Sequence, residues 1–63
     1  MNVKIKRIML GFSQKDLASL IGVSNVTIGK IEKGQIDNIR FGTLKKLAAA
    51  LNSTVEELFL KEE

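Results

Sequence analysis

The sequence predicts an all-α fold of five short helices. Apolar residues recur at intervals of three and four along the chain. Serine and threonine stand where helices would begin, and glycine stands where they would end. No segment shows the alternation of apolar and polar residues that is typical of a strand. Only three of the 63 residues are aromatic although 44% are apolar, so the core must be built from aliphatic side chains. A chain of this length buries roughly 60% of its unfolded surface, and we expect residues 1–63 to form one domain with a small core.

The first two helices are separated by Gly11. Helix one is predicted from about Asn2 to Leu10, and its apolar positions are Val3, Ile5, Ile8, Met9 and Leu10. Helix two begins after Ser13, whose hydroxyl is a good N-cap, and ends at Gly22, because glycine adopts the left-handed conformation that terminates helices. One face of helix two is apolar and is expected to face the core, with Leu17, Ala18, Leu20 and Ile21.

Helix three starts almost immediately, because Ser24 can cap it two residues after Gly22. Two helices joined so closely must cross at a steep angle. The spacing places Val23, Ile28 and Ile31 toward the interior and leaves an outer face of Val26, Gly29, Lys30 and Lys33. This outer face has no carboxylate, so it is suited to a groove lined with phosphates.

The rest of the chain predicts a loop and two more helices. The loop runs from Gln35 to Arg40 and contains the turn-forming pair Asp37-Asn38. Helix four runs from about Phe41 to Leu51 and ends at Asn52, with a core-facing stripe of Phe41, Leu44, Leu47, Ala48 and Leu51. Thr54 and Glu57 form a capping box, which starts a short fifth helix through Leu58, Phe59 and Leu60.

Charge is distributed unevenly along the chain, although the net charge is only +3. Nine of the ten Lys and Arg residues lie in residues 1–46, whereas four of the seven acids, Glu56, Glu57, Glu62 and Glu63, lie with Lys61 in residues 47–63. This asymmetry indicates a basic face for a polyanion and a separate face for another contact, the alternative being ordinary solvated charge.

Several classes of protein are disfavoured by composition. No apolar run approaches the roughly 20 residues that cross a bilayer, and the N-terminus lacks the apolar stretch of a secretion signal, so we expect a cytoplasmic protein without a membrane partner. The sequence has no Cys and no His, which argues against a metal site, and we expect no cofactor. An enzyme is disfavoured because no carboxylates cluster at catalytic spacing.

Short motifs in a fixed order give the chain a family resemblance. They are Ser13-Gln14, Leu17-Ala18, Gly22-Val23-Ser24, Thr27-Ile28, Ile31-Glu32-Lys33-Gly34, Leu44, Leu47-Ala48, Leu51 and Thr54-Val55-Glu56-Glu57-Leu58-Phe59. Together they span almost the whole chain and resemble the lambdoid phage repressor family of DNA-binding helix-turn-helix domains, of the Xre and Cro/C1 type. The resemblance implies a five-helix, lambda-repressor-like fold in which helices two and three form the helix-turn-helix, with helix three in the major groove and the start of helix two against the DNA backbone.

Two positions depart from the family pattern. Gly29 stands where a polar side chain is common, and an interior glycine destabilises a helix by about 1 kcal/mol relative to alanine. Either the missing side chain lets the helix backbone approach the bases, or packing compensates for the glycine. Ile39 stands where the family often has proline, so the loop is expected to be less rigid.

The chemistry of helix three predicts its contacts with DNA. Asn25 can pair with adenine N6 and N7, Lys30 can donate to guanine O6 and N7, and Val26 can meet a thymine methyl group. The resemblance places base contacts at the same positions and at Gly29. The residues predicted to contact the DNA backbone are Gln14, Lys15, Ser24, Thr27, Lys33 and Arg40.

Arg7 and Glu32 occupy the positions at which the resembling domains have an ion pair between helices one and three. The resemblance therefore implies that the pair sets the angle of the reading helix, although its net stabilisation can be small. The alternative is that Arg7 contacts phosphate directly.

The end of the chain predicts contact with a partner. A helix as short as the fifth cannot place three consecutive apolar residues in one core, so we expect a dimer interface of Val55, Leu58, Phe59 and Leu60.

The predicted function is that of a transcriptional regulator, expected to be a repressor, that binds a palindromic operator on double-stranded DNA as a homodimer. The sequence shows no sensor segment, so we expect any inducer to act through a separate protein, through the concentration of the regulator or through proteolysis. The alternative is an antitoxin-type or protein-interaction module that acts chiefly through a protein partner.

Overall fold

The computed structural model describes residues 3–60 and contains five helices, with no strand in that range. They are α1 (Val3–Met9), α2 (Gln14–Ile21), α3 (Asn25–Glu32), α4 (Phe41–Ala50) and the short α5 (Glu56–Leu60), which is wound as a π-helix. The predicted all-α class and the order of the helices are confirmed. Asn2, Lys61, Glu62 and Glu63, which entered the predictions above, lie outside the described residues.

Both α2 and α3 begin at a serine N-cap, and a tight turn at Gly22 joins the two helices. Ser13 Oγ accepts from the Asp16 N–H at 2.9 Å, and an Asp16 carboxylate oxygen accepts from the Ser13 N–H at 3.0 Å. These hydrogen bonds, with the backbone bond as the larger cause, hold the pKa of Asp16 below its ordinary value. Gly22 ends α2 in the left-handed region at φ 79°, and Ser24 Oγ then accepts from the Thr27 N–H at 3.1 Å to start α3. The predicted helix-turn-helix is therefore present.

The connection between α4 and α5 also follows the sequence prediction. Asn52 takes a positive φ of 56° just after α4, a conformation that asparagine tolerates better than most residues. Thr54 Oγ1 accepts from the Glu57 N–H and a Glu57 carboxylate oxygen accepts from the Thr54 N–H, both at 3.1 Å. This is the predicted capping box.

The core is aliphatic and lies where α2 meets α3 and α4. The largest fully buried side chains are Val3, Leu17, Ile28, Ile31, Leu47 and Leu51. Val23, in the turn before α3, is half-buried and packs against this cluster. Because α2 contacts both neighbours, α3 is held with one face on the core and the other exposed.

Two residues predicted to face the core are exposed instead. Leu20 lies about 100° around α2 from the centre of the stripe formed by the buried Leu17, Ala18 and Ile21, so it points to solvent. Phe41 is the first residue of α4 and is also exposed, and its ring lies 5.8 Å from the Lys45 ammonium. That separation is within the range of a cation–π contact.

The fifth helix corrects the predicted dimer interface. Leu58 is only 2% exposed and belongs to the core, so it is not available to a partner chain. Leu58 is the residue of α5 that joins the buried core cluster. Val55 and Phe59 pack partly against the same core, whereas Leu60 is 67% exposed.

Within residues 3–60, no helix has the length and the apolar character that crossing a membrane requires.

Candidate nucleic-acid interface

The outer face of α3 forms one side of an open groove of about 460 Å³. Its lining residues are Gln14, Asn25, Val26, Gly29, Lys30, Lys33 and Gln35. The structure thus brings together all four residues predicted to contact bases and two of those predicted to contact the DNA backbone. None of the seven described lining residues is acidic, and two are lysines, so the groove can accept a polyanion.

Gln35 belongs to this groove although the sequence reasoning did not single it out. Gly34 turns the chain at φ 82° immediately after α3, and the Gln35 N–H donates to the Lys30 carbonyl at 2.9 Å. This bond holds Gln35 beside the end of α3. A polar residue directly after the glycine that follows α3 was the available signal.

The other predicted backbone-contact residues, Lys15, Ser24, Thr27 and Arg40, do not line the groove. Ser24 Oγ and Thr27 Oγ1 lie 3.1 Å apart, so the two hydroxyls bond each other at the start of α3. Lys15 is exposed in the first turn of α2, and Arg40 is exposed immediately before α4. These side chains lie at the N-terminal ends of α2, α3 and α4.

Gly29 is not required by packing within the chain. A Cβ built on Gly29 would meet no heavy atom within 4 Å, and its φ is not positive. A larger side chain would therefore project into the groove rather than into the core. Packing within the chain therefore gives no reason for a glycine at this position.

The Arg7–Glu32 pair joins α1 to α3 and is almost completely buried, with the two side chains 9% and 6% exposed. Arg7 Nε donates to Glu32 Oε2 at 2.6 Å, and Nη2 lies 3.5 Å from Glu32 Oε1. Arg7 Nη1 donates to the Phe12 carbonyl at 2.9 Å. Each guanidinium nitrogen thus has an acceptor within the chain, which argues against a direct phosphate contact by Arg7.

A hydrogen bond from Gln14 connects a third helix, α2, to this ion pair. Gln14 Nε2 donates to Glu32 Oε1 at 2.9 Å, so one carboxylate receives hydrogen bonds from α1 and from the first residue of α2. Sequence reasoning assigned Gln14 only to the DNA backbone and missed this bond. Because Gln14 also lines the groove, Glu32 fixes the orientation of a side chain on the candidate interface.

The surroundings of Glu32 keep it ionised. Burial would raise the pKa of its carboxyl group, but the hydrogen bonds from Arg7 and Gln14 and the charges of Arg7 and Lys4 outweigh burial. The pKa of Glu32 therefore lies below its ordinary value, and the ion pair persists at neutral pH.

The described residues offer no metal centre, since no three acidic, Cys or His side chains in residues 3–60 lie close enough to share an ion.

Comparison with known proteins identifies the family. The helix-turn-helix family matches residues 3–58, and the chain belongs to this family of DNA-binding domains. An uncharacterized HTH-type transcriptional regulator of Haemophilus influenzae is 49% identical over 49 residues, which are 78% of this chain and 49% of that protein. The glutamine–fructose-6-phosphate aminotransferase of Methanocaldococcus jannaschii is 36% identical over 53 residues, which are 84% of this chain and 5% of that protein.

Solved structures share the fold within larger chains. The crystal structure of apo-HppE and that of hydroxypropylphosphonic acid epoxidase from S. wedmorenis both superpose with a TM-score of 0.79 at 24% identity. The superposition covers 90% of this chain and 32% and 30% of those chains. At 24% sequence identity, the likeness to these two structures shows only that this chain shares their fold. This chain spans about half of the regulator's length and a third or less of the other matched chains.

Proposed function

We propose that this chain binds specific sequences of double-stranded DNA and regulates transcription, acting as a repressor. The observation that carries the proposal is the acid-free groove on α3, where Asn25, Val26, Gly29 and Lys30 meet. An α-helix fits the major groove of B-DNA, and the family match and the regulator relative support the same reading. The proposed site of action is the cytoplasm of a bacterial cell, on chromosomal or phage DNA.

Each base-reading residue has a proposed partner. Asn25, the first residue of α3, pairs with adenine, and Lys30 donates to guanine. The exposed Val26 meets a thymine methyl group between them. Gly29 lets this part of α3 come closer to the base edges than a side chain would allow.

Contacts with the DNA backbone set the register of these base contacts. Lys15, Lys33 and Arg40 are exposed cations at the ends of α2, α3 and α4, and we propose phosphate contacts for all three. Gln14, Ser24 and Thr27 lie at the N-termini of α2 and α3, and we propose that they add neutral donors to the DNA backbone.

A homodimer is the proposed DNA-bound form. Val55, Phe59 and Leu60 remain as the apolar residues of α5 and its first turn that are not fully buried. We expect a two-fold dimer through this surface whose two reading helices lie about 34 Å apart, the separation that one turn of DNA and a palindromic operator require.

The second candidate is a module that acts chiefly through a protein partner. It is favoured by exposed apolar side chains outside the groove, among them Ile5 and Ile8 on α1.

The likeness to two enzymes does not support a catalytic function for this chain, because the chain corresponds to only 5% of the aminotransferase and about a third of HppE. Titration with random duplex DNA separates the two candidates: a DNA reader binds at low salt and weakens as salt rises, and a pure protein module does not bind.

Replacing Gly29 with alanine is expected to have opposite effects on stability and on DNA affinity. Alanine favours the helix and meets no neighbour, so the free energy of unfolding should rise by about 0.5–1 kcal/mol. The added methyl group faces the bases, so affinity for the preferred site should fall. Urea unfolding and fluorescence anisotropy measure the two effects.

Gly42→Ala is the matched control for stability, because Gly42 is also helical and its Cβ would meet nothing within 4 Å. Both variants should be stabilised, Gly42→Ala by the smaller amount, because Gly42 lies in the first turn of α4 and Gly29 in the interior of α3. Gly29→Ala binding as tightly as the parent chain would contradict close approach of α3 to the bases.

Substitution of Lys30 and Lys33 is expected to separate base reading from phosphate anchoring. Lys30→Ala should weaken binding to the preferred site by about 1–3 kcal/mol and relax the choice of one base pair in each half-site. Lys33→Ala, at the C-terminal end of α3, should weaken binding to all sequences alike and reduce the salt slope by about one unit. Selection of bound sequences and salt titration measure these effects, and an unchanged preference in Lys30→Ala would contradict its placement.

A further inference from the structure

The solvent side of α1 is unexpectedly apolar. Ile5, Ile8 and Met9 are 59%, 57% and 78% exposed, and their spacing of three and four residues forms one stripe along the helix, here called the α1 stripe. The opposite face of α1 carries the buried Val3 and Arg7. Exposed apolar side chains that form a continuous patch mark interaction surfaces more often than scattered ones do.

The α1 stripe points away from α3. Arg7, on the other face of α1, contacts Glu32, so the stripe lies on the side of α1 that does not face the reading helix. None of its three residues lines the candidate DNA groove. A partner could therefore cover the stripe while α3 occupies DNA.

The end of the stripe lies close to the start of α5. Met9 and Leu10 line a surface cavity of about 150 Å³ together with Leu51 and Asn52. Asn52 precedes the capping residue Thr54 by two positions, so α5 begins on the same side of the molecule.

The α1 stripe and α5 have complementary charge. Lys4 and Lys6 flank the stripe, and the described part of α1 has no acidic residue. By contrast, α5 begins with the exposed Glu56 and Glu57, and its exposed apolar residue Leu60 lies about one turn after Glu56. A helix with an apolar residue beside carboxylates is the partner that the basic-flanked stripe fits.

We propose that the α1 stripe receives α5 of a second copy of this chain, with Leu60 on the stripe and Glu56 near Lys4. The chain's own α5 does not satisfy this contact, because Leu58 anchors it in the core and leaves Leu60 exposed. Pairing of two α1 stripes would bring the lysines of both copies together, which like-charge repulsion disfavours. Reciprocal contacts between α1 and α5 close a two-fold dimer, whereas a one-sided contact would extend into a filament.

This inference rests on the proposed DNA-bound homodimer and specifies which surfaces form it. Sedimentation equilibrium of the full chain tests it directly. Ile8→Glu is expected to raise the dimer dissociation constant at least about tenfold, because it buries a carboxylate in an apolar contact. Leu20→Glu is the matched control, since Leu20 is 59% exposed on α2 and lies outside the stripe, and it should leave the constant unchanged.

Charge exchange tests the proposed orientation. Lys4→Glu and Glu56→Lys should each weaken the dimer, and the two changes together should restore most of the parent affinity. Circular dichroism of each variant checks folding, which is needed for Lys4→Glu because the charge of Lys4 also acts on Glu32.

Several outcomes would overturn the inference. The Ile8→Glu chain could have the same dimer dissociation constant as Leu20→Glu. The effects of the two charge changes could be additive, or the parent chain could stay monomeric when it is bound to DNA. Binding of a monomeric parent to phosphatidylglycerol vesicles, abolished by Ile8→Glu, would assign the stripe to a membrane surface instead. Duplex DNA titrations separate the proposals: DNA binding without dependence on Ile8 overturns only this inference, and dimerisation without DNA binding overturns only the proposed function.

Discussion

Arg7→Met and Glu32→Leu are each expected to destabilise the chain by about 3–5 kcal/mol, because either change leaves a buried polar partner without its counterpart. Arg7→Met leaves the Glu32 carboxylate without its cation and the Phe12 carbonyl without its donor. Glu32→Leu leaves the guanidinium charged and the Gln14 amide without its acceptor. Small domains have total stabilities on the order of 5 kcal/mol, so either variant should be largely unfolded near 37 °C. Urea unfolding followed by circular dichroism measures the losses.

The double variant distinguishes an interaction from two separate losses. Arg7→Met with Glu32→Leu removes both charges, so its loss should be smaller than the sum of the single losses. Glu32→Gln is a milder variant, because its amide oxygen can still accept hydrogen bonds from Arg7 and Gln14, and we expect it to be folded enough for DNA titrations at low temperature. It should weaken DNA binding without changing the preferred bases, and additive losses in the cycle would show that the two residues do not interact.

The lowered pKa of Glu32 gives this pair a predicted dependence on pH. A carboxyl group whose pKa is lower in the folded state contributes stability above its unfolded pKa, and that contribution is lost as the pH falls through the folded pKa. The parent chain should therefore lose stability in acid more steeply than Glu32→Gln. Asp16, whose pKa is also lowered, is present in both chains, so the difference between the two curves isolates Glu32.

Leu58→Ala is expected to destabilise the chain by about 2–5 kcal/mol, because Leu58 is buried in the aliphatic core and the smaller side chain leaves a cavity. Leu60→Ala, two residues away on the same helix, removes an exposed side chain and should change stability by less than about 0.5 kcal/mol. The comparison is made at a concentration at which the chain is monomeric.

The two leucines should show the reverse order in self-association. Leu60→Ala should weaken the dimer, whereas any effect of Leu58→Ala on the dimer should follow from lost folding. Equal stability losses from the two changes would contradict the assignment of Leu58 to the core.

Sequence reasoning predicted the helices well because their ends are encoded locally. Ser13, Gly22 and Ser24 define the ends of α2 and α3 through hydrogen bonds within a few residues, and the Thr54–Glu57 capping box starts the last turn in the same way. Helical spacing also placed Val26, Gly29, Lys30 and Lys33 together on the outer face of α3. Such features need no knowledge of the rest of the molecule.

Sequence reasoning failed where the answer depended on which surface another helix covers. Periodicity identifies residues that share a face, but Leu20 and Phe41 lie beyond the edge of the packed area and are exposed. The same reasoning could not decide which of Leu58 and Leu60 faces inward. The bond between Gln14 and Glu32 joins residues 18 positions apart, so no local pattern reports it.

The most direct test of the central claim is selection of bound sequences from a library of random duplex DNA, carried out with the parent chain. Reading by α3 in a two-fold dimer predicts an enriched, two-fold symmetric sequence whose half-sites are centred about one helical turn apart. Adenine and guanine should be required at the positions met by Asn25 and Lys30. A chain that retains no DNA from the library even at low salt, or retains it without enriching any sequence, would contradict sequence-specific reading by α3.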